Sequence, residues 1–126
     1  MVSGNIYFKE YNSLKLEKIQ NILNAKILNT SNIKNIDATM IMVSDLMSDV
    51  LSYCCSGALL VTSLTNTQTV KTAQVADLCG IVFTRGKQPS NDTIELAKKR
   101  NILLFVTDLS TYDVCGILYS HGLEGI

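Results

Sequence analysis

Residues 58–62, 80–84 and 102–107 are apolar at consecutive positions, rich in Val, Ile, Leu and Phe, and each run closes on a threonine. A run that is apolar on both alternating faces reads as a strand buried between two layers, as parallel strands are when helices cover the sheet. Thr62, Thr84 and Thr107 recur about every 22 residues, the length of a strand, a short loop, one helix and a return loop. The pattern predicts an α/β domain, with a mainly parallel sheet built from right-handed βαβ crossovers.

The intervening segments carry helix signals. Val70, Ala73 and Ala76 form a stripe of small apolar residues suited to close packing on a sheet. Ser90, after Pro89, is placed to cap a helix through Ile94 and Ala97, with Lys98, Lys99 and Arg100 at its negative end. Ser110 and Asp113 form an S-x-x-D start for a helix in which Tyr112, Cys115 and Tyr119 recur at i, i+3 and i+7, and Gly122 is a natural stop. Earlier, Ser13 is placed to cap a helix bearing Leu16, Ile19 and Leu23, followed by a short run at 25–28 and a polar turn at 29–35. Ile36, Ala38, Met40 and Met42 alternate with Asp37 and Thr39 as in a strand. Ser44 and Asp45 then open a helix pairing Leu46 with Val50 and Met47 with Leu51. Residues 1–12 lack periodicity and are expected to be frayed or engaged with a partner, leaving 13–123 as one domain without a linker.

Composition narrows the class. A chain of 126 residues, 47% hydrophobic and 17% charged with one Pro, suits a single packed domain. Eleven basic residues balance eleven acidic ones, so no net field draws in nucleic acid or an anionic membrane, and neither is expected as a partner. No apolar run approaches the ~18 residues of a membrane span, and the amino terminus lacks a signal-peptide pattern, so the cytoplasm is the expected compartment. Cys54 and Cys55 are adjacent, while Cys79 and Cys115 sit in apolar stretches. All four read as reduced core thiols, since Leu51, Tyr53, Ala58 and Leu59 give the adjacent pair no electropositive setting for redox work. Met40, Met42 and Met47 read as core filler. With one histidine, His121, and no paired Cys spacing, neither a metal nor a cofactor is expected.

Ligands of parallel sheets bind beyond the carboxyl ends of the strands. That edge would carry Thr62, Ser63, Thr65, Asn66, Thr84, Arg85, Gly86, Thr107 and Asp108. Hydroxyls, one guanidinium and free helix N–H groups could hold a phosphate or carboxylate there, although the same residues also serve as ordinary caps and turns. No phosphate loop and no G-x-G-x-x-G follows a strand. A serine or cysteine nucleophile lacks a base, because His121 lies beyond the last helix, and Ser110 with Asp108 has nothing to activate it. Asp45 and Asp49, on one helical face, read as a cap and a solvated turn, two carboxylates being a poor site for a hard cation. No catalytic residue is therefore assigned.

The stretch from Leu60-Val61-Thr62-Ser63 through Gly80-Ile81-Val82-Phe83-Thr84-Arg85-Gly86-Lys87-Gln88-Pro89-Ser90 to Ile94-Glu95-Leu96-Ala97 resembles the DRTGG domain family, as do Asn101-Ile102-Leu103-Leu104, Thr107-Asp108-Leu109-Ser110-Thr111-Tyr112 and the upstream segment 43–50. The resemblance implies an α/β fold related to the amino-terminal domain of HPr kinase/phosphorylase. It implies a cytosolic, often dimeric regulatory module found beside CBS domains in regulated pyrophosphatases. The name-giving pattern is altered: Thr65 and Asn66 stand where the family has Asp-Arg, and Thr84, Arg85 and Gly86 replace its Thr-Gly-Gly step. HPr kinase activity is not expected of these residues, which contain no phosphate loop. The expectation is a non-catalytic regulatory or dimerising module, a homodimer that takes a small anionic ligand or a partner enzyme. The alternative is a sensing domain that binds a nucleotide or another anion at the strand ends, with Arg85 on phosphate.

Overall fold

The computed structural model describes residues 13–30 and 32–126, so the segment 1–12 lies outside the described residues. In chain order the elements are β1 (Leu14–Lys15), α1 (Leu16–Ile22), β2 (Lys26–Ile27), β3 (Asp37–Ala38), β4 (Met40–Val43) and α2 (Met47–Tyr53). They continue as β5 (Leu59–Thr62), α3 (Thr67–Val75), β6 (Gly80–Phe83), α4 (Asn91–Arg100), β7 (Leu104–Val106), α5 (Thr111–Ser120) and β8 (Glu124–Gly125).

Six strands make one sheet in the order β2-β7-β6-β5-β4-β8. β4 to β7 are parallel, β8 joins β4 in parallel, and β2 closes the other edge antiparallel to β7. β1 and β3 form a separate antiparallel ribbon. All four residues of β5 and of β6 are buried, as their unbroken apolar runs require. Their side chains alternate between two cores. Leu60, Ile81, Phe83 and Leu104 pack with Val50 of α2, Val70 and Ala73 of α3 and Ala97 of α4. Leu59, Val61, Val82 and Phe105 pack with Leu16 and Ile19 of α1 and with Val114 and Leu118 of α5. Helices thus cover both faces, and α5 carries the chain back from β7 to β8.

The helix starts follow the capping residues. Ser90 accepts the Thr93 N–H, and α4 ends on Asn101 in the left-handed region with Lys98, Lys99 and Arg100 in its last turn. Ser110 accepts the Asp113 N–H, and Asn66 the Thr69 N–H.

Several local expectations are corrected. α1 starts after Lys15 with no side-chain cap from Ser13, because pairing with β3 holds Leu14 and Lys15 extended. The strand expected over 36–42 breaks at Thr39: β3 joins the ribbon, β4 enters the sheet, and Ile41 and Met42 are both buried because β4 lies between two layers. α2 begins at Met47, beyond Ser44 and Asp45, and buries Met47 and Val50 while Leu46 and Leu51 stay exposed. The Tyr112–Cys115–Tyr119 stripe faces outward, with Tyr112 85% and Tyr119 77% exposed; the all-hydrocarbon Val114 and Leu118 take the sheet side and leave both phenols in water. Cys54 and Cys79 are half-buried and pack against the two cores, Cys115 is half-buried, and only Cys55, just past α2, is exposed; all four thiols are free. Met42 and Met47 are buried and Met40 packs against the same core.

Candidate functional site

Parallel strands that end at one level gather residues from distant parts of the chain onto one edge. The ladder continues past the strands, with the Ser44 N–H donating to Val61 O at 3.2 Å, the Thr84 N–H to Thr62 O at 3.2 Å and the Thr107 N–H to Phe83 O at 3.0 Å. Thr62, Thr84 and Thr107 therefore stand along this edge, all buried. Their hydroxyls are engaged inside the chain. Thr62 Oγ1 donates to Asp45 Oδ1 at 2.7 Å, Thr84 Oγ1 lies 2.8 Å from Thr111 Oγ1, and Thr107 Oγ1 donates to Leu23 O at 2.7 Å. The three threonines lock the strand ends to the loop after β4, to α5 and to the end of α1.

Asp45 is the centre of the first lock. Besides Thr62, it accepts the Ser63 N–H at 2.8 Å and the Ser63 hydroxyl at 2.9 Å. The Ser63 N–H first, then the Thr62 hydroxyl, and after them the Ser63 hydroxyl and the nearby Lys87 charge, hold its carboxyl below the ordinary 3.8 against the opposing effect of burial. The sequence reading had placed Asp45 on a helix face with Asp49. It lies before α2 and turns instead to β5. Among the described residues no group of three or more His, Cys, Asp or Glu side chains could hold a metal ion.

A carboxyl whose folded value is depressed stabilises the fold fully above its unfolded value and loses that contribution as the pH falls through the folded one. Asp45→Asn is accordingly expected to be less stable than the wild type at neutral pH, with the gap closing as the pH drops below 3.8. Urea midpoints measured across that range check it, and a gap that persists in acid would mean that shape, not charge, is what Asp45 supplies.

Arg85 and Gly86 both hold positive φ, 58° and 66°, in a turn closed by the Lys87 N–H on Thr84 O at 3.2 Å. The Arg85 N–H donates to Leu109 O at 2.8 Å and the Gly86 N–H to Thr107 O at 2.7 Å. A Cβ at Gly86 would come 2.8 Å from Asp108 Oδ1, so only glycine lets the Asp108 carboxylate cover this turn. Arg85, Lys87 and Asp108 are exposed; Ser63, Thr65 and Gly86 are half-buried. Asn66 is exposed but spends its side-chain oxygen capping α3, accepting the Thr69 N–H at 3.2 Å. The edge thus presents two cations, a threonine and two carboxylates, that of Asp108 and that of Asp45 held by Thr62 and Ser63. Lys87 and Asp45 are the members that sequence reasoning missed. Their signal was position alone, just past the ends of β6 and β4.

His121 closes α5 at the end opposite Ser110, with Nδ1 2.9 Å from Ile117 O. Cys54, Cys55 and Cys79 sit at the amino ends of the strands, where burial pushes the Cys79 thiol up to about 12 and raises Cys54. One concavity of about 840 Å³ runs along α1 and β2, from Asn24 and Lys26 beside the carboxyl end of β7 to Thr30 and Lys34, and another of about 280 Å³ lies beside Asn29, Asn101 and Ile102.

A mainly parallel sheet covered by helices on both faces, with its polar groups gathered at the strand ends, defines a small α/β domain of the kind that binds ligands at that edge. The chain belongs to the DRTGG domain family, whose sequence profile matches residues 18–120. The fold is similar to that of the CBS and DRTGG domains of the regulatory region of Clostridium perfringens pyrophosphatase, solved with its activator diadenosine tetraphosphate. The similarity has a TM-score of 0.71 at 17% identity and covers 94% of this chain, but only 55% of that one. No curated protein matches the chain. Among the described residues, no helix is long and apolar enough to cross a membrane.

Proposed function

We propose that this domain is a non-catalytic, cytosolic regulatory homodimer that senses a phosphorylated small ligand of nucleotide class at the carboxyl edge of its strands and passes that state to a partner enzyme. Arg85 and Lys87 would take phosphate, and the exposed Asp108 carboxylate a sugar hydroxyl. Four free thiols suit a reducing compartment. The nucleotide activator of the pyrophosphatase regulatory region supports the ligand class, although that region is nearly twice this chain's length.

The observation that carries the reading is the backbone of Arg85. A residue with a Cβ in the left-handed region costs about 1–2 kcal/mol that glycine escapes. Here an arginine with an exposed side chain stands at the Thr-Gly-Gly step where the family has glycine, held at φ 58° by its own N–H bond to Leu109 O. Strain retained at a strand end is what a positioned ligand contact would account for.

Arg85→Gly separates the two roles. Its melting temperature without ligand is expected to equal or exceed the wild type. Its response to diadenosine tetraphosphate, ATP and AMP is expected to vanish, where the wild type at a hundredfold excess over Kd gains about 2.7 kcal/mol. A thermal shift retained in Arg85→Gly would remove Arg85 as the anchor. Flat wild-type scans with all three nucleotides would sink the sensor and leave the dimerising role.

A further inference from the structure

We propose that the groove along α1 and β2 is the subsite for the heterocyclic base of the ligand, entered from the carboxyl edge beside Asp108. The inference rests on the nucleotide reading above and assigns the one part of a nucleotide that Arg85, Lys87 and Asp108 leave without a place. Three neighbouring strands set the order of groups along the edge. Arg85 follows β6, Asp108 follows β7, and β2, paired with β7, starts two residues after Asn24. The bond from Thr107 Oγ1 to Leu23 O, 2.7 Å long, fastens the end of β7 to the end of α1, and Asp108 and Asn24 are each the next residue along the chain. Neighbouring strands lie about 4.8 Å apart, so β6 to β2 is a span of about 10 Å. Phosphate, sugar and base follow one another in a nucleotide as Arg85, Asp108 and the mouth of the groove follow one another along the sheet.

The groove has the room and the chemistry for a base. Its volume of about 840 Å³ falls within the ~300–1,000 Å³ of small-molecule sites. Ile33 is buried, and Ala25 and Ile27 are half-buried, so the groove has apolar surface on which a flat ring can lie. Gln20, Asn21 and Asn24, from α1 and the turn that ends it, line the same groove. Among the described residues none of these three side-chain amides has a hydrogen-bond partner, whereas Asn29 and Asn66 spend theirs on β7 and on the cap of α3. A carboxamide carries a donor and an acceptor side by side, the pair that meets the edge of a base such as adenine with two bonds.

Calorimetric titration of the full chain with ATP and with inorganic triphosphate tests the subsite, because both carry three phosphates and only ATP carries a nucleoside. The wild type is expected to bind ATP about tenfold more tightly, or better. The double variant Asn21→Ala with Asn24→Gly is expected to lose most of that difference through weaker ATP binding, with triphosphate binding unchanged. Its melting temperature without ligand should hold or rise, since alanine favours the helix and glycine adopts the φ of 47° at position 24 freely. An ATP preference unchanged in the double variant would overturn the subsite and leave the sensor at the strand ends standing. Equal wild-type affinities for ATP and triphosphate would overturn it too, with Arg85 still on phosphate. A wild type that binds none of diadenosine tetraphosphate, ATP and AMP would overturn both readings.

Discussion

Phe105→Ala is expected to lower stability by about 3–5 kcal/mol, the range for truncating a fully buried aromatic side chain. Phe105 is 0% exposed at the middle of β7, flanked by Val82 of β6 and Ile27 of β2. It packs in the core under α1 and α5, where Leu16, Ile19, Val114 and Leu118 surround it. A sheet cannot close inward without breaking its ladder, so the cavity would persist and the loss should fall in the upper part of that range. A domain of this size holds about 5–15 kcal/mol in total, which leaves the variant marginal at physiological temperature. The urea midpoint should fall at unchanged slope. A loss under about 1 kcal/mol would contradict the central place of β7, since such a loss belongs to surface positions.

The same strand shows why some of this fold is legible in the chain and some is not. β5, β6 and β7 are buried on both faces, so burial writes itself into the sequence as unbroken apolar runs, each closed by a buried threonine. α4 and α5 announce themselves through Ser90 and Ser110, because a cap is a local bond between residues three apart. β1, β2, β3 and β8 have two residues each. Two residues hold no period, and such strands exist because a neighbour offers a free edge. The face of α5 was misjudged for a related reason. Tyrosine counts as apolar in a periodic pattern, but against Val114 and Leu118 it loses the competition for the sheet side.

At the candidate site, threonine spacing located the edge, but it could not show that the hydroxyls turn inward. Thr62 meets Asp45 across 17 positions, where β4 runs parallel to β5, and Thr107 meets Leu23 across 84, where β2 runs antiparallel to β7. The floor of the edge is thus a set of locks between distant parts of the chain, and Arg85, Lys87 and Asp108, which face water, come from the loops after β6 and β7 above it. Rigid support beneath and charge on top is the arrangement that the proposed recognition of phosphate would use.

Asn29→Ala is the second large effect, and it arises where no motif pointed. β2 runs antiparallel to β7, and the Leu28 N–H donates to Leu104 O at 2.9 Å. One residue further the backbone departs, but the ladder does not end. The Asn29 side-chain amide donates to Ile102 O at 2.6 Å and its oxygen accepts the Leu104 N–H at 3.0 Å, copying the donor and acceptor of one more strand residue. Leu104 is 0% and Ile102 6% exposed, so alanine would strand a buried N–H and deprive a buried carbonyl of its partner. At 1–3 kcal/mol for each buried group left unpaired, the expected loss is about 2–4 kcal/mol. Asn29→Asp keeps the acceptor for Leu104 but faces the Ile102 carbonyl with a second oxygen, so it should recover little. Amide exchange at Leu104 is the direct readout, because loss of the rung should speed it well beyond the change expected from global stability alone. Retained protection at Leu104, or a loss under about 0.5 kcal/mol, would mean that water replaces the amide without cost. Since this rung lies at the amino end of β7, away from the carboxyl edge, folded Asn29→Ala should respond to nucleotide as the wild type does. That distinguishes it from Arg85→Gly, which should keep its stability and lose the response.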